Sequence, residues 1–498
     1  MSDLPVISIS IFLPLLSALY ILLFVSQSKS QAKEEHSAYV AILSSILTLI
    51  ATIYLWITFD KKAEGFQFVE KYSWVKMIGL EYYVGVDGIS VFFILLSSFL
   101  TLLCIVGSLF TIKKQLKEFL LCFLLLEAFC IGTFSSLNLL LFFLFFEVIL
   151  IPMYIIIGVW GGENRVYAAF KFFLYTFFGS VFFLIALIYI YTQTHTFTIP
   201  ELAKMVPNFT SHIQHLLWLA IFIAFAVKVP MPPFHTWLPD AHVQAPTAGS
   251  VILAGILLKL GAYGYLRILL PLMPHSCEYF SEYVLIISVI AVIYGSLVAL
   301  AQTDMKKMIA YSSVAHMGYV TAGIFSFTIT GITGAIFQMI SHGLVSSALF
   351  MIVGVLYERG HTKEINKYGG VAKKMPILAV FFMISMLGSV GLPGTSGFIG
   401  EFFSIVGVFS VDGLMAIGLA SGVILGAIYM LGLYRNVMLG EIKNQEVAYF
   451  NDVTLYELLA LLPLIILIIY IGIVPNSILN LLGSSVSLLA NIYIPKGF

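Results

Sequence analysis

Apolar runs of about twenty residues recur along this chain from residue 4 to residue 474. A hydrocarbon core about 30 Å thick takes roughly that many residues to cross as one helix. Inside it only helices and closed barrels satisfy their own backbone polar groups. With 60% hydrophobic and 10% charged residues among 498, the chain reads as an all-α polytopic membrane protein. Fourteen spans are expected, near 4–25, 38–59, 86–111, 117–134, 137–159, 167–192, 213–242, 246–270, 281–303, 308–327, 330–357, 376–410, 413–439 and 454–474. The first lacks a basic leader and a small-residue cleavage motif, so Leu4–Val25 is read as a retained helix. The polar stretch 60–83 predicts a small capping turn or hairpin, and the other loops leave no room for a separate soluble domain.

The seventh and twelfth spans are broken. Val229-Pro230-Met231-Pro232-Pro233 interrupts one and Gly391-Leu392-Pro393-Gly394-Thr395 the other; proline removes a backbone donor and clashes with the preceding turn. The breaks are five spans apart, so the two segments run in opposite directions. Broken helices at matching places in oppositely oriented halves mark an inverted repeat with its working site near mid-membrane. Spans 4–8 and 9–13 are the expected five-helix halves. The segments are then 1–115, an N-terminal three-helix part; 116–270 and 281–439, the two halves; and 440–498, a last helix and tail. Lys and Arg favour the loops after odd-numbered spans, sixteen against seven. Those loops should face the cytoplasm, with both termini on the periplasmic side.

Ionisable residues inside spans are functional candidates. Here they are Glu127, Glu147, Lys228, Lys259, His316, His342 and Glu401. One buried ion pair would lock helices together; seven such sites, two beside helix breaks, read as a proton or ion path. Desolvation disfavours the charged form of a lysine or a glutamate. A Glu147 carboxylate would hold Lys228 protonated by about 2.4 kcal/mol at roughly 7 Å and an effective dielectric of about 20. Moving the partner away would release the proton. The break beside Lys228 frees backbone groups that lipid cannot satisfy, so it implies local hydration. Lys259 would take the proton next, His316 and His342 would relay it near neutral pH, and Glu401 would be the last site. Glu127 fits either the path or an interhelical bond. His235, Asp240 and His242 lie just past the break and shape an uptake route or simply bond the loop.

Cys104, Cys122, Cys130 and Cys277 are scattered in apolar runs and read as packing residues. There is no phosphate loop, dinucleotide fingerprint, iron–sulfur spacing or haem ladder, so the chain itself should bind no redox cofactor or metal. Basic and acidic residues balance at 25 each, and nothing points to nucleic acid.

The stretches VGVDGISVFFILL, LLLFFLFFEVILIPMYIIIGVWGG, KVPMPPFHTWLPDAHVQAPTAGSVILAGILLKLGAYG, LAQTDMKKMIAYSSVAHMGYV and GLPGTSGFIGEF resemble the antiporter-like membrane subunits of the proton-pumping NADH:quinone oxidoreductase, respiratory complex I. The resemblance covers essentially the whole chain, and glutamate at 401 favours the M type. It implies fourteen helices in two inverted repeats and a hydrated polar axis. Glu147 matches the glutamate that pairs with the seventh-helix lysine, Lys228. Lys259, His316 and His342 match relay positions, and Glu401 the twelfth-helix site. It also implies neighbouring antiporter-like subunits in a lipid bilayer, with NADH and quinone bound by other subunits. The expected location is a bacterial inner membrane, with the mitochondrial inner membrane as second choice. Two other readings stand: a subunit of a multisubunit Na⁺/H⁺ antiporter or a membrane-bound hydrogenase, which share this pattern, and a purely structural scaffold. Proton stoichiometry and coupling direction stay open.

Overall fold

A computed structural model describes residues 4–25 and 31–493. Lys29 and Lys496, counted above for orientation, lie outside them. The chain opens with α1 (Val6–Phe24) and α2 (Gln31–Thr58). The polar stretch that follows is an antiparallel hairpin, β1 (Gln67–Val75) with β2 (Leu80–Val86), reversed through Gly79 in the left-handed region at φ +66°. Only glycine adopts that conformation without steric cost. Glu70 of β1 accepts hydrogen bonds from the Ile7 and Ser8 amides at 3.0 and 3.2 Å, capping the free donors that begin α1.

Next come α3 (Ser90–Thr111), α4 (Leu116–Ser135), α5 (Leu139–Val148), α6 (Leu150–Trp160), α7 (Arg165–Thr194), the short α8 (Ile199–Met205) and α9 (Ser211–Lys228). Asn138 caps α5, accepting from the Leu140 and Leu141 amides at 3.1 Å. The prolines after Val229 end α9, and the chain turns before α10 (Trp237–Gln244). There follow α11 (Thr247–Ile252), a π-helical turn at Leu253–Leu257, α12 (Leu258–Gly264), a second π-helical turn at Tyr265–Leu269 and α13 (Leu270–Leu272).

The remaining helices are α14 (Pro274–Leu300), α15 (Met305–Phe325), α16 (Ile329–Gly360), α17 (Pro376–Val390), α18 (Ser396–Phe409), α19 (Gly413–Met438), α20 (Leu455–Ile473) and α21 (Asn476–Ala490). Asp304, Thr328, Asp412 and Thr454 cap α15, α16, α19 and α20 through their side chains. Gly391, at φ +76°, stops α17 in the left-handed conformation, and Pro393 lies between it and α18.

Twelve helices among the described residues are long and apolar enough to cross a membrane. The fourteen-span expectation differs from that number for two reasons. The twelfth expected span is split into pieces too short to cross alone, α17 and α18. The tenth, α15, is long enough but carries Ser312, Ser313, His316 and Thr321 along its length. Two compact units divide the chain. The first comprises Met1–Val229, Ile256–Phe280 and Leu481–Phe498; the second comprises Pro230–Gly255 and Ser281–Asn480.

Candidate functional site

In the first unit, Glu147 and Lys228 both occupy helix ends. Glu147 lies one residue before the end of α5, where the helix resets at Ile149 into α6. Lys228 is the last residue of α9 and 3% exposed. Its ammonium sits 4.4 Å from the centroid of the Phe146 ring, an arrangement in which the ring face offsets part of the lost hydration. The two charges interact through space, yet both Glu147 oxygens lack a hydrogen-bond partner. Ser180 of α7 faces the carboxylate, but its hydroxyl donates to the Thr176 carbonyl at 2.9 Å. An attraction without a bond between the partners can be strengthened or weakened by a small displacement of either helix end.

Lys259, fully buried in α12, lies between the two π-helical turns. Such turns are rare and recur at functional positions. Two residues on, Gly261 lets α12 lie against α9: a Cβ there would come 2.8 Å from the Phe225 carbonyl and 3.0 Å from the Lys228 Cβ. Glu127 of α4 is fully buried and accepts from the Ser45 hydroxyl at 2.9 Å.

In the second unit the bonds are direct. His316 of α15 places Nδ1 2.8 Å from Glu401 Oε1 and Nε2 3.1 Å from the Ser389 hydroxyl. Gln338 of α16 donates to the same Glu401 oxygen at 3.1 Å. His342, one turn further along α16, has its ring centroid 5.5 Å from that of His316. The break between α17 and α18 builds this cluster, because it brings Ser389 and Glu401 to His316 from its two sides. Gly400 allows α18 to press on α16: a Cβ there would meet the Gln338 Cα at 2.6 Å. His316, Gln338, Ser341, His342, Ser346 and Ser389 line a cavity that admits a water-sized centre over about 10 Å³, close to the least that holds one water.

The second unit also holds His235, Asp240 and His242. His235 packs edge-on to Tyr294 at 5.2 Å, and His242 stacks on Phe350 at 4.5 Å. The carbonyls that end α10 are taken up one by one: His242 O by the Ser250 hydroxyl at 3.1 Å, Val243 O by Lys363 Nζ at 2.5 Å and Ala245 O by Lys306 Nζ at 2.9 Å. Two cations thus face the negative end of this half-helix. Burial pushes the Lys363 ammonium below its ordinary range, with Asp304 partly opposing the shift.

Sequence reasoning missed Phe146, Ser389, Gln338 and the two lysines at α10. It also read Arg267 only as one of the seven positive charges on the lysine-poor side. That side chain is instead buried, with Nη2 2.6 Å from Asp87 Oδ1 and Nε donating to the Tyr263 hydroxyl at 3.0 Å. Tyr263 in turn donates to the Phe134 carbonyl at 2.7 Å. Lysines invite titration arguments, whereas nothing in an apolar run tells which amide or serine will meet them. Among the described residues no three of His, Cys, Asp and Glu come together as a metal site, and the four cysteines are buried and form no disulfide.

Carboxylates thus stand against a lysine in one unit and a histidine in the other, each beside a break in the apolar helices. The chain belongs to the NADH:quinone oxidoreductase/Mrp antiporter membrane family, whose model matches residues 136–428. It is 67% identical to NADH-quinone oxidoreductase subunit M of Rickettsia bellii, over 98% of both chains. It is 47% identical to NADH-ubiquinone oxidoreductase chain 4 of Marchantia polymorpha, over 96% of this chain and 95% of that one. A chain of respiratory complex I from Thermus thermophilus superposes with a TM-score of 0.89 at 28% identity, covering 98% of this chain and 99% of that one. A chain of the Mrp complex from a Dietzia species shares the fold, with a TM-score of 0.86 at 20% identity over 99% of this chain and 98% of that one.

Proposed function

We infer that this chain is the proton-translocating, antiporter-like membrane subunit of an NADH:quinone oxidoreductase. The observation that carries the reading is the near full-length likeness, at 67% identity, to a protein named subunit M of that enzyme. The redox chemistry belongs to other subunits. This chain holds and moves protons.

Fourteen crossings follow when α15 is counted as one and α17 with α18 as another, beside the twelve long apolar helices. They form two inverted five-helix repeats. Both termini lie on the periplasmic side of a bacterial inner membrane, and the lysine-rich loops face the cytoplasm. Lys228 loads while Glu147 attracts it and unloads when that attraction weakens. Lys259, His316 and His342 relay, and Glu401 is the terminal site, its carboxylate steadied by His316 and Gln338. The Glu401→Gln variant keeps an acceptor for both neighbours but no longer exchanges a proton. Turnover should fall about tenfold, a change in barrier of about 1.4 kcal/mol, with normal assembly. NADH oxidation per assembled complex checks it.

The test of the whole reading is an affinity tag on this chain. Gentle extraction should bring down a complex that oxidises NADH with quinone and pumps protons when reconstituted. An Na⁺/H⁺ exchange activity without NADH oxidation would assign the chain to an antiporter instead.

A further inference from the structure

Resting on that reading, the cluster around His316 leaves a proton little choice of path. Both ring nitrogens are taken: Nδ1 by Glu401 at 2.8 Å, with Gln338 Nε2 3.5 Å away, and Nε2 by the Ser389 hydroxyl at 3.1 Å. His342 lines the neighbouring cavity, its ring centroid 5.5 Å from that of His316, but it finds no ring nitrogen of His316 unoccupied. The amide of Gln338 has no proton to exchange near neutral pH. Glu401 is not among the cavity-lining residues, and its other oxygen faces the helix break, where a Cβ on Gly391 would stand 3.0 Å from Oε2. Ser389 lines the cavity. It is the group that stands between Nε2 and that space.

The Ser389 hydroxyl also differs from its neighbours in what it leaves undone. Buried hydroxyls in these helices commonly donate to the carbonyl one turn back, as Ser385 does to Phe381 at 2.9 Å and Ser404 to Gly400 at 2.9 Å. Ser389 is buried, yet His316 is its one hydrogen-bond partner among the described residues. A hydroxyl has one hydrogen and two lone pairs. Without a backbone bond to keep, it donates to a neutral Nε2 and accepts from a protonated one. Its seat is fixed by the break itself. Ser389 lies two residues before Gly391 ends α17, and Gly397 of α18 rests on the adjacent Gly388 carbonyl with no room for a Cβ. The broken span thus holds the ring from both sides, α17 through Ser389 and α18 through Glu401.

We propose that the Ser389 hydroxyl carries the proton between His316 and the cavity that His342 also lines, a further proton-transferring residue of the second unit. As the ring takes a proton, the Ser389 O–H bond breaks toward Nε2 while a new O–H bond forms with a proton delivered from the cavity side. The serine ends with the hydrogen count it began with, and the new Nε2–H donates to its oxygen. Transfer in the other direction retraces these steps. The cavity admits a water-sized centre over about 10 Å³, room for the one water that links the hydroxyl to His342.

The test uses inside-out membrane vesicles containing the whole complex. Ser389→Ala removes the hydroxyl with little change of volume. NADH oxidation and proton uptake per assembled complex should fall together about tenfold, less than the roughly hundredfold that a lost proton-transfer group often costs, because water can enter the space. Both rates should become more sensitive to deuterium oxide, since the hampered proton step then limits turnover. Ser389→Thr, which keeps a hydroxyl, should restore the rate and the isotope effect. Wild-type turnover per assembled Ser389→Ala complex would overturn the proposal. So would slow turnover with an unchanged isotope effect, the mark of a serine that only packs. Lys228→Ala and Glu401→Gln are assayed alongside. If they too turn over normally, the functional reading fails; if they are slow while Ser389→Ala is not, only the role of Ser389 fails.

Discussion

Replacing Lys228 by alanine should lower NADH oxidation and proton uptake together by roughly fiftyfold, while the complex still assembles. The magnitude is that of an attraction of roughly 2.4 kcal/mol, the value for two unit charges assumed about 7 Å apart at an effective dielectric near 20, at about 1.36 kcal/mol per factor of ten. Without its counter-charge the buried Glu147, which has no hydrogen-bond partner, would bind a proton and keep it. Arginine at 228 separates charge from exchange, because a guanidinium stays charged at every accessible pH. It should assemble and turn over almost as slowly as alanine. Vesicle assays with content normalised on a native gel settle the matter. A Lys228→Arg complex with wild-type pumping would mean that the charge serves only as a fixed anchor.

The second large effect is on stability. Arg267→Leu leaves the Asp87 carboxylate buried and alone, a loss of roughly 3–5 kcal/mol, and the Tyr263 hydroxyl loses its guanidinium neighbour. Burial penalises the Asp87 carboxylate, but Arg267 and the Ser90 bonds outweigh it and hold the carboxyl below its ordinary range. A carboxyl so lowered contributes stability above its unfolded pKa of about 3.9, and that contribution is lost as pH falls through the lower folded value. Arg267→Leu should therefore deplete the complex in membranes and lower its melting temperature at neutral pH. The double variant Asp87→Asn, Arg267→Leu should recover part of the loss, because a buried pair can often be replaced by apolar groups at little cost. Equal melting temperatures for Arg267→Leu and the unaltered protein would show that the pair contributes nothing.

The spans and their breaks were legible because lipid permits few alternatives. Twenty apolar residues must form a helix, and Pro230, Pro232 and Pro233 cannot continue one. The end of α17 was legible for a related reason, Gly391 before Pro393. The hairpin at 67–86 was readable only as a polar interruption. The charged members of the site stood out against their apolar surroundings. Their partners did not: Gln338 and Ser389 look like any polar residue in a helix until α16, α17 and α18 are packed. Arg267 entered only as one positive charge in a count, and a count does not tell which arginine near a span end turns inward, as this one does to Asp87. The short bonds of His316 and the contactless arrangement of Glu147 and Lys228 are matters of tenths of an ångström, to which sequence has no access.

The two π-helical turns around Lys259 have a geometric consequence. Each holds one more residue per turn than an α-helix would, and one residue amounts to about 100° of rotation and 1.5 Å of travel along the axis. The aim of Lys259 is therefore set by the number of residues wound on either side of it. Deleting a single residue from Leu253–Leu257 would let that wide turn close to an α-turn with Lys259 on its present face, whereas the same deletion in the α-helical stretch beside it would swing the lysine by about 100°. Here the position of a charge is stored as winding, the way a screw thread stores distance.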